Sequence, residues 1–197
     1  MKKSVFLPIL TIVLAALILF GVSFGLKNVA ASNARAEHLR LMQTLLPGSK
    51  EFTAETYTGD DANIRSVHKG ENGFVIETVT YGYAGEITML IGVSNDGKVT
   101  GLMVRELHET FGLGSEALTD HEFLAQFLNT TGDVAIGTAD ADAFSGATDT
   151  AAGETSTYVD AITGATVTSK AIARSVNSAV AYVTGADVSS SATTWGG

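Results

Sequence analysis

Residues 73–107 read GFVIETVTYGYAGEITMLIGVSNDGKVTGLMVREL. Residues 73–83 are rich in β-branched and aromatic side chains, and a second apolar run follows at 87–93. Asn95–Gly97 is a strong hairpin signal, and residues 98–107 follow it as the pairing strand. We therefore predict an antiparallel β-meander over 73–107.

Helical patterns and further strand patterns lie on both sides of this meander. Three helices are predicted: one at 30–46, one whose apolar face is Phe123, Leu124, Phe127 and Leu128, and one at 169–183. Short strands are predicted at 63–69 and 134–136. Thr119 or Asp120 is placed to cap the second helix, and 138–157 is predicted to be a loop. The predicted fold class is α+β: an antiparallel β-sheet domain with packed helices, preceded by one N-terminal transmembrane helix.

The composition of the 197 residues excludes several classes of protein. No cysteine is present, which rules out disulfides, zinc–thiolate sites, cysteine-ligated iron–sulfur clusters and a cysteine nucleophile. The net charge is −9, and from Glu37 onward 8 basic residues stand against 21 acidic ones. A nucleic-acid partner is not expected, because nucleic-acid binders carry the opposite charge.

The N-terminus carries an uncharged run of 22 residues from Val5 to Leu26. As a helix this run would span about 33 Å, enough for the roughly 30 Å hydrocarbon core of a bilayer. A cleaved signal peptide is the alternative, because Val29 and Ala31 have the small-residue spacing of a cleavage site, but the run is longer than a signal core. Lys2 and Lys3 place the N-terminus in the cytoplasm by the positive-inside rule.

These features predict how the chain is organised in the cell membrane. Residues 1–4 are cytoplasmic, 5–26 form a single-pass transmembrane helix, 27–50 a helical stalk or linker, 51–184 an extracytoplasmic domain, and 185–197 a disordered tail. A first domain helix packed on the sheet is the alternative to the stalk.

Three kinds of metal or nucleotide motif are present only in incomplete form. His108-Glu109 and His121-Glu122 each lack the second histidine of a zinc-protease helix, and residues 112–117 match a dinucleotide fingerprint outside any βαβ unit. Asp140 and Asp142 lack the turn glycine of a calcium loop. We therefore predict no metal site.

The segment that carries chemistry is DAITGATVTSKAIAR at 160–174. The small pair Gly164–Ala165 leaves little bulk beside Thr166, and the start of the following helix offers unpaired N–H groups to a phosphate. Lys170 could add a charged hydrogen bond. An ordinary loop, with a hydroxyl of Thr168–Ser169 capping the helix, fits the same spacing.

The heptapeptide Asp160–Thr166 closely resembles the flavinylation motif of the FMN-binding domain family. In that family the final threonine is joined to FMN through a phosphoester, and here that residue is Thr166. The resemblance also implies that Thr163, Gly164, Ala165 and Lys170 lie against the cofactor. The family includes the G subunit of the Rnf complex and the C subunit of the sodium-pumping NADH:quinone reductase.

A second stretch is similar to the central region of the same family. Tyr83–Gly85, Asp96–Val99 and His108–Gly114 occur in the family's order, although Phe111 stands where the family has proline. The resemblance implies that a loop lies against the isoalloxazine ring, with contacts from Glu109, Thr110, Gly112 and Leu113.

Residues 142–148, DAFSGAT, repeat the heptapeptide pattern. Thr148 is followed by Asp149, whose carboxylate would repel a phosphate, whereas Thr166 precedes an amphipathic helix. Thr166 is therefore the predicted attachment site.

The resemblance implies an electron-transfer subunit with covalent FMN in a membrane ion-translocating ferredoxin:NAD+ oxidoreductase (Rnf) complex. Its partners would be the other membrane subunits, membrane lipid, and a flavin transferase that attaches the FMN. The subunit alone would have no catalytic residues. A stand-alone membrane-anchored flavoprotein and a non-redox surface binding module are the alternatives.

Overall fold

The computed structural model describes residues 13–17, 20, 32–107, 119–137 and 157–186. The chain divides into two compact units, Met1–Leu41 and Met42–Gly197. All described residues of the first unit are helical. None of the helices in the described ranges is long and apolar enough to cross a membrane.

Five antiparallel strands form the main sheet of the second unit, side by side in chain order. They are β1 (Thr53–Glu55), β2 (Ile64–Lys69), β3 (Gly73–Tyr81), β4 (Glu86–Ser94) and β5 (Val99–Leu107). The predicted meander is confirmed as β3–β5, and the predicted strand at 63–69 is confirmed as β2. β1 is a three-residue edge strand that has no large apolar side chain, so no sequence pattern predicted it.

The hairpin between β4 and β5 turns at the predicted signal, Asn95–Gly97. The Gly97 N–H donates to the Ser94 carbonyl at 2.9 Å, and the Ser94 N–H donates to the Lys98 carbonyl at 2.8 Å. Gly97 has a φ of +80°, a left-handed conformation that a residue with a side chain adopts only with strain. Glycine at this position therefore fixes the register of the hairpin.

After the main sheet, the described residues of this unit form two helices and a second, small sheet. They are α1 (His121–Ala125), β6 (Val134–Ile136), β7 (Thr157–Val159) and α2 (Thr166–Thr184). The Asp120 carboxylate caps α1 by accepting the N–H groups of Glu122 at 2.8 Å and Phe123 at 3.2 Å, so Asp120 is the cap. β6, predicted at 134–136, pairs in parallel with β7, which was not predicted because it continues a small, polar stretch.

α2 covers one face of the sheet and closes the main core. Side chains alternate along β3 and β4, so every second residue of each strand faces the helix. The buried cluster between them includes Ile76, Ile87, Met89, Ile91, Phe127, Ile172 and Val176. Burial of this apolar surface holds α2 in place and thereby positions its first turn.

The opposite face of the sheet is covered by residues 42–49. Gly92 and Gly101 allow the close approach: a Cβ atom at Gly92 would lie 2.1 Å from the Leu45 carbonyl oxygen. The Thr100 hydroxyl donates to the same oxygen. Residues 32–45 are helical, in agreement with the helix predicted at 30–46.

The predicted α+β class, with an antiparallel sheet and packed helices, is confirmed for the second unit. Several predicted segments lie outside the described residues. They are most of the transmembrane helix at 5–26, most of the loop at 138–157, and the tail after residue 186.

Candidate functional site

A tight turn at residues 162–165 leads into α2. The Ala165 N–H donates to the Ile162 carbonyl at 2.9 Å, and Gly164, the third residue of the turn, has a φ of +82°. Residues with side chains rarely adopt this conformation. The turn therefore favours glycine at 164, and it leaves Thr163 and Gly164 exposed.

We expect Gly164→Ala to lower the free energy of unfolding by about 1–2 kcal/mol, because a side chain at this positive φ is strained. Urea denaturation followed by circular dichroism measures the change. Thr163→Ala, an exposed position in the same turn, is the control and should change stability by less than about 0.5 kcal/mol. Equal stability of the Gly164→Ala protein and the wild type would show that this turn tolerates a side chain.

α2 begins at Thr166 itself, and Thr166 is exposed. Ala165 is the N-cap residue, no side chain caps this helix end, and the Ser169 N–H donates to the Ala165 carbonyl at 2.9 Å. The prediction that the helix starts at residue 169 is wrong by three residues, and neither Thr168 nor Ser169 caps it. The β-branched residues Thr166 and Val167 are weak helix formers, which hid the true start.

Two hydroxyls are buried in the first turns of α2. Ser169 Oγ donates to the Ala165 carbonyl at 3.0 Å and accepts the Ile162 N–H at 3.4 Å, so it ties the turn to the helix. The Thr168 hydroxyl is also buried, but it has no hydrogen-bond partner. Because an unpaired buried hydroxyl costs about 1–3 kcal/mol, Thr168 marks an unfilled hydrogen-bonding position beside the turn.

The first turn of α2 has the electrostatic character of an anion site. Its leading N–H groups have no acceptor within the helix, and the positive end of the helix dipole lies there. No acidic residue is present in the turn. Lys170 is exposed one turn beyond Thr166 on the same face. A phosphate on Thr166 would therefore meet N–H donors and a cation.

α2 runs antiparallel to β3, which brings its N-terminal half to one end of the sheet. The Thr80 hydroxyl donates to the Ala171 carbonyl at 3.1 Å and lies 2.9 Å from the Ser175 hydroxyl. The next residue of β3, Tyr81, accepts a hydrogen bond at its carbonyl from Arg174 Nη2 at 3.0 Å. The last residues of β3 therefore contact the second and third turns of α2.

β5 ends at this same end of the sheet. Thr80 pairs with Ile87, and Ile87 pairs with Leu107, so Leu107 is two strand spacings, about 10 Å, from Thr80. From Leu107 the chain continues into 108–118, which lies outside the described residues. That segment contains the predicted flavin contacts Glu109, Thr110, Gly112 and Leu113. In chain order it comes directly after the end of β5 that lies beside the first half of α2.

Two exposed tyrosines lie at the β3–β4 turn, at this end of the sheet. Tyr81 is 66% exposed and Tyr83 is 77% exposed. The Tyr81 hydroxyl donates to Glu86 Oε1 at 2.7 Å. This hydrogen bond and the negative charge of the carboxylate raise the pKa of Tyr81 above its ordinary value of 10.0.

We expect Glu86→Gln to lower the pKa of Tyr81 towards its ordinary value, because the substitution removes the charge that opposes phenol ionisation. A pH titration by NMR of ¹³C-labelled tyrosine rings measures the change. Tyr182 is an internal control, because burial and Glu55 raise its pKa, and the substitution should leave it unchanged. A Tyr81 pKa that is the same in both proteins would show that the carboxylate does not act on the phenol.

No group of three or more histidine and acidic side chains in the described part of the chain could hold a metal ion. His121 is exposed at the start of α1, and His68 is half-buried in β2. His108 and the alternative attachment residue, Thr148, lie outside the described residues.

One residue near this site, Arg174, was not predicted as part of it. It follows Thr166 by eight residues and Lys170 by four, so all three lie along one side of α2. The sequence signal for Arg174 was this spacing of four and eight residues. It could be recognised only once the helix was known to begin at Thr166.

The candidate site lies within the part of the chain that is similar to known proteins. The family model described as FMN-binding domain matches residues 82–181. The chain is 34% identical over 154 residues to the G subunit of the ion-translocating oxidoreductase complex of Methanosarcina acetivorans, and the match covers 72% of each protein. It is 34% identical over 111 residues to the G subunit of the Na+-translocating ferredoxin:NAD+ oxidoreductase complex of Acetobacterium woodii, covering 55% of this chain and 47% of that one. Among solved structures, NqrC of Shewanella oneidensis has a TM-score of 0.44 and 19% identity, covering 74% of this chain and 73% of that one.

Proposed function

The chain belongs to the FMN-binding domain family, and we propose that it carries FMN as a phosphoester on Thr166 and serves as an electron-transfer subunit of a membrane ion-translocating ferredoxin:NAD+ oxidoreductase (Rnf) complex. The family match over 82–181 includes Thr166. The observation that carries the proposal is the position of the sequence DAITGAT, which ends at the exposed first residue of α2.

A separate flavin transferase attaches the cofactor. The bond between the two phosphates of FAD breaks, the FMN phosphate joins the Thr166 hydroxyl oxygen, the hydroxyl loses its proton, and AMP leaves. Two features support an external enzyme. Thr166 is exposed, so another protein can reach it, and residues 160–174 contain no histidine that could activate the hydroxyl.

The described residues of the turn fit a phosphate-linked cofactor. Gly164 and Ala165 add little bulk beside Thr166, and the free N–H groups of the first turn and Lys170 offset the phosphate charge. When bound, FMN supplies the electron chemistry, and the chain holds it and sets its surroundings.

The loop that follows β5 supplies the contacts to the flavin ring in this proposal. Leu113 gives an apolar contact, and Thr110 and the backbone around Gly112, together with Glu109, give polar ones. The support is topological: β5 ends at Leu107, at the sheet end that contacts the first half of α2.

A single helix over 5–26 holds the protein in the cell membrane, in contact with lipid. Residues 1–4 then lie in the cytoplasm, 27–41 form the stalk, and 42–184 form the extracytoplasmic FMN domain. The predicted stalk is shortened because Leu45 and Leu46 are buried, as the alternative of a domain helix packed on the sheet requires. The uncharged run after Lys2 and Lys3 supports this arrangement. The curated relatives are named as subunits of complexes, which supports other membrane subunits as partners.

Denaturing gel electrophoresis tests the flavin. We expect membranes from cells that express the full chain and a flavin transferase to show a fluorescent band at its mass. A dark band would contradict the proposal and favour a non-redox surface module. Purification through a tag on this chain then separates the remaining possibilities, because a complex subunit brings other membrane proteins with it and a stand-alone flavoprotein does not.

A further inference from the structure

The two basic residues of α2 lie in register with Thr166. Lys170 and Arg174 are the only lysine or arginine residues in Thr166–Thr184. At 1.5 Å per residue they lie about 6 Å and about 12 Å from Thr166 along the helix axis, on the same side of the helix. In a chain of net charge −9, this side of α2 is a local concentration of positive charge.

The hydrogen bonding of Arg174 is incomplete. Its Nη2 donates to the Tyr81 carbonyl at 3.0 Å, but its Nε is buried and has no partner. The ion pairs found among the described residues involve Lys69, Lys98 and Arg105, and none involves Arg174. The bond to Tyr81 uses one of the five N–H groups of the guanidinium, so the Nη atoms keep N–H groups that can donate to an acceptor outside the chain.

The distance of Arg174 from Thr166 corresponds to the length of the cofactor. In FMN a five-carbon ribityl chain separates the phosphate from the isoalloxazine ring. Lys170, about 6 Å along the helix, is therefore placed for the phosphate, and Arg174, about 12 Å along it, is placed for the ring. The bond from Arg174 to Tyr81 also holds the guanidinium at the sheet end where β5 leads into the segment carrying Glu109 and Leu113.

We propose that Arg174 is a cofactor-binding residue that donates to the carbonyl-bearing edge of the flavin ring and favours the reduced flavin. The inference rests on the proposed attachment of FMN to Thr166. Full reduction adds two electrons and, near neutral pH, one proton, so the ring gains one negative charge. A guanidinium beside that edge stabilises this charge, as does any cation close to the ring nitrogens.

The test is a reductive titration of the full, flavinylated chain with dithionite as the electron donor and a redox dye as the reference. We expect Arg174→Met to weaken binding of reduced relative to oxidised flavin about tenfold, which makes the two-electron potential about 30 mV more negative. Arg174→Lys keeps the charge, so it should shift the potential by less than half as much as Arg174→Met does.

Arg105→Met is the matched control. It removes the same charge and side-chain length from an exposed residue whose partner, Glu77, lies on the face of the sheet away from α2. We expect this variant to keep the wild-type potential. A purely structural role for Arg174 would lower thermal stability but leave the potential of the flavin unchanged.

The outcomes separate this inference from the proposed function. A wild-type chain without covalent flavin contradicts the proposed function itself. A flavinylated wild type whose potential is the same as that of Arg174→Met contradicts only the role of Arg174. If Arg174→Met fails to take up flavin, Arg174→Gln provides the same comparison. The inference gives Arg174 no part in attachment of the flavin. If both Arg174 variants fail to take up flavin while Arg105→Met takes it up normally, the inference is therefore also contradicted.

Discussion

Thr166→Val is expected to abolish covalent flavin, and Thr148→Val is expected to leave it at the wild-type level. Valine has nearly the same shape as threonine but no hydroxyl, so a phosphoester cannot form. Thr166 is exposed at the start of α2, where the substitution removes no hydrogen bond found in the structure. The loss should therefore be complete without any loss of folded protein.

In-gel fluorescence of the two variants, each produced with a flavin transferase, measures this effect. Thr166→Ser is the positive control, because it keeps a hydroxyl at the same position. Loss of fluorescence in Thr148→Val together with a bright Thr166→Val band would assign the flavin to the other DxxxGAT repeat. Partial loss in both variants would indicate that both threonines are modified.

Ile172→Ala is expected to lower the free energy of unfolding by about 2–5 kcal/mol. Ile172 is fully buried between α2 and the sheet, and its truncation loses apolar contact and leaves a cavity. Because a domain of this size is stable by only about 5–15 kcal/mol, this is a large fraction of the total. Urea denaturation of the full chain in detergent, followed by circular dichroism, measures the change.

Leu128→Ala is the control for that substitution. Leu128 follows α1 and is 41% exposed, so its truncation should cost less than about 1 kcal/mol. If the two variants lose the same stability, α2 does not pack on the sheet as described. That result would also remove the physical reason for the fixed position of the first turn of α2.

The sheet could be predicted from the sequence because its signals are local. β3 and β4 are each nine residues long and rich in β-branched side chains, and Asn95–Gly97 sets the turn after them. β1 and β7 have three residues each, and they are strands only because β2 and β6 pair with them. Such pairing depends on tertiary contacts that no local pattern records.

The candidate site was predicted only in part, for a different reason. The residues alone favoured an ordinary capped helix over a phosphate at Thr166, and only the resemblance to a flavinylation motif reversed that preference. The structure then placed Thr166 inside the helix, because packing of Ile172 and its neighbours overcame the weak helix propensity of the first two residues. This shift of the helix start is what aligns Arg174 with Thr166.

Mass spectrometry after cleavage on the N-terminal side of aspartate tests the central claim most directly. Trypsin cannot separate the two candidate threonines, because no lysine or arginine lies between Arg105 and Lys170. Cleavage before aspartate yields residues 142–148 and 160–186 as separate peptides. We predict that peptide 160–186 carries the mass of FMN less one water, with fragment ions that assign it to Thr166. An unmodified peptide 160–186, from a chain produced with an active flavin transferase, would contradict the account.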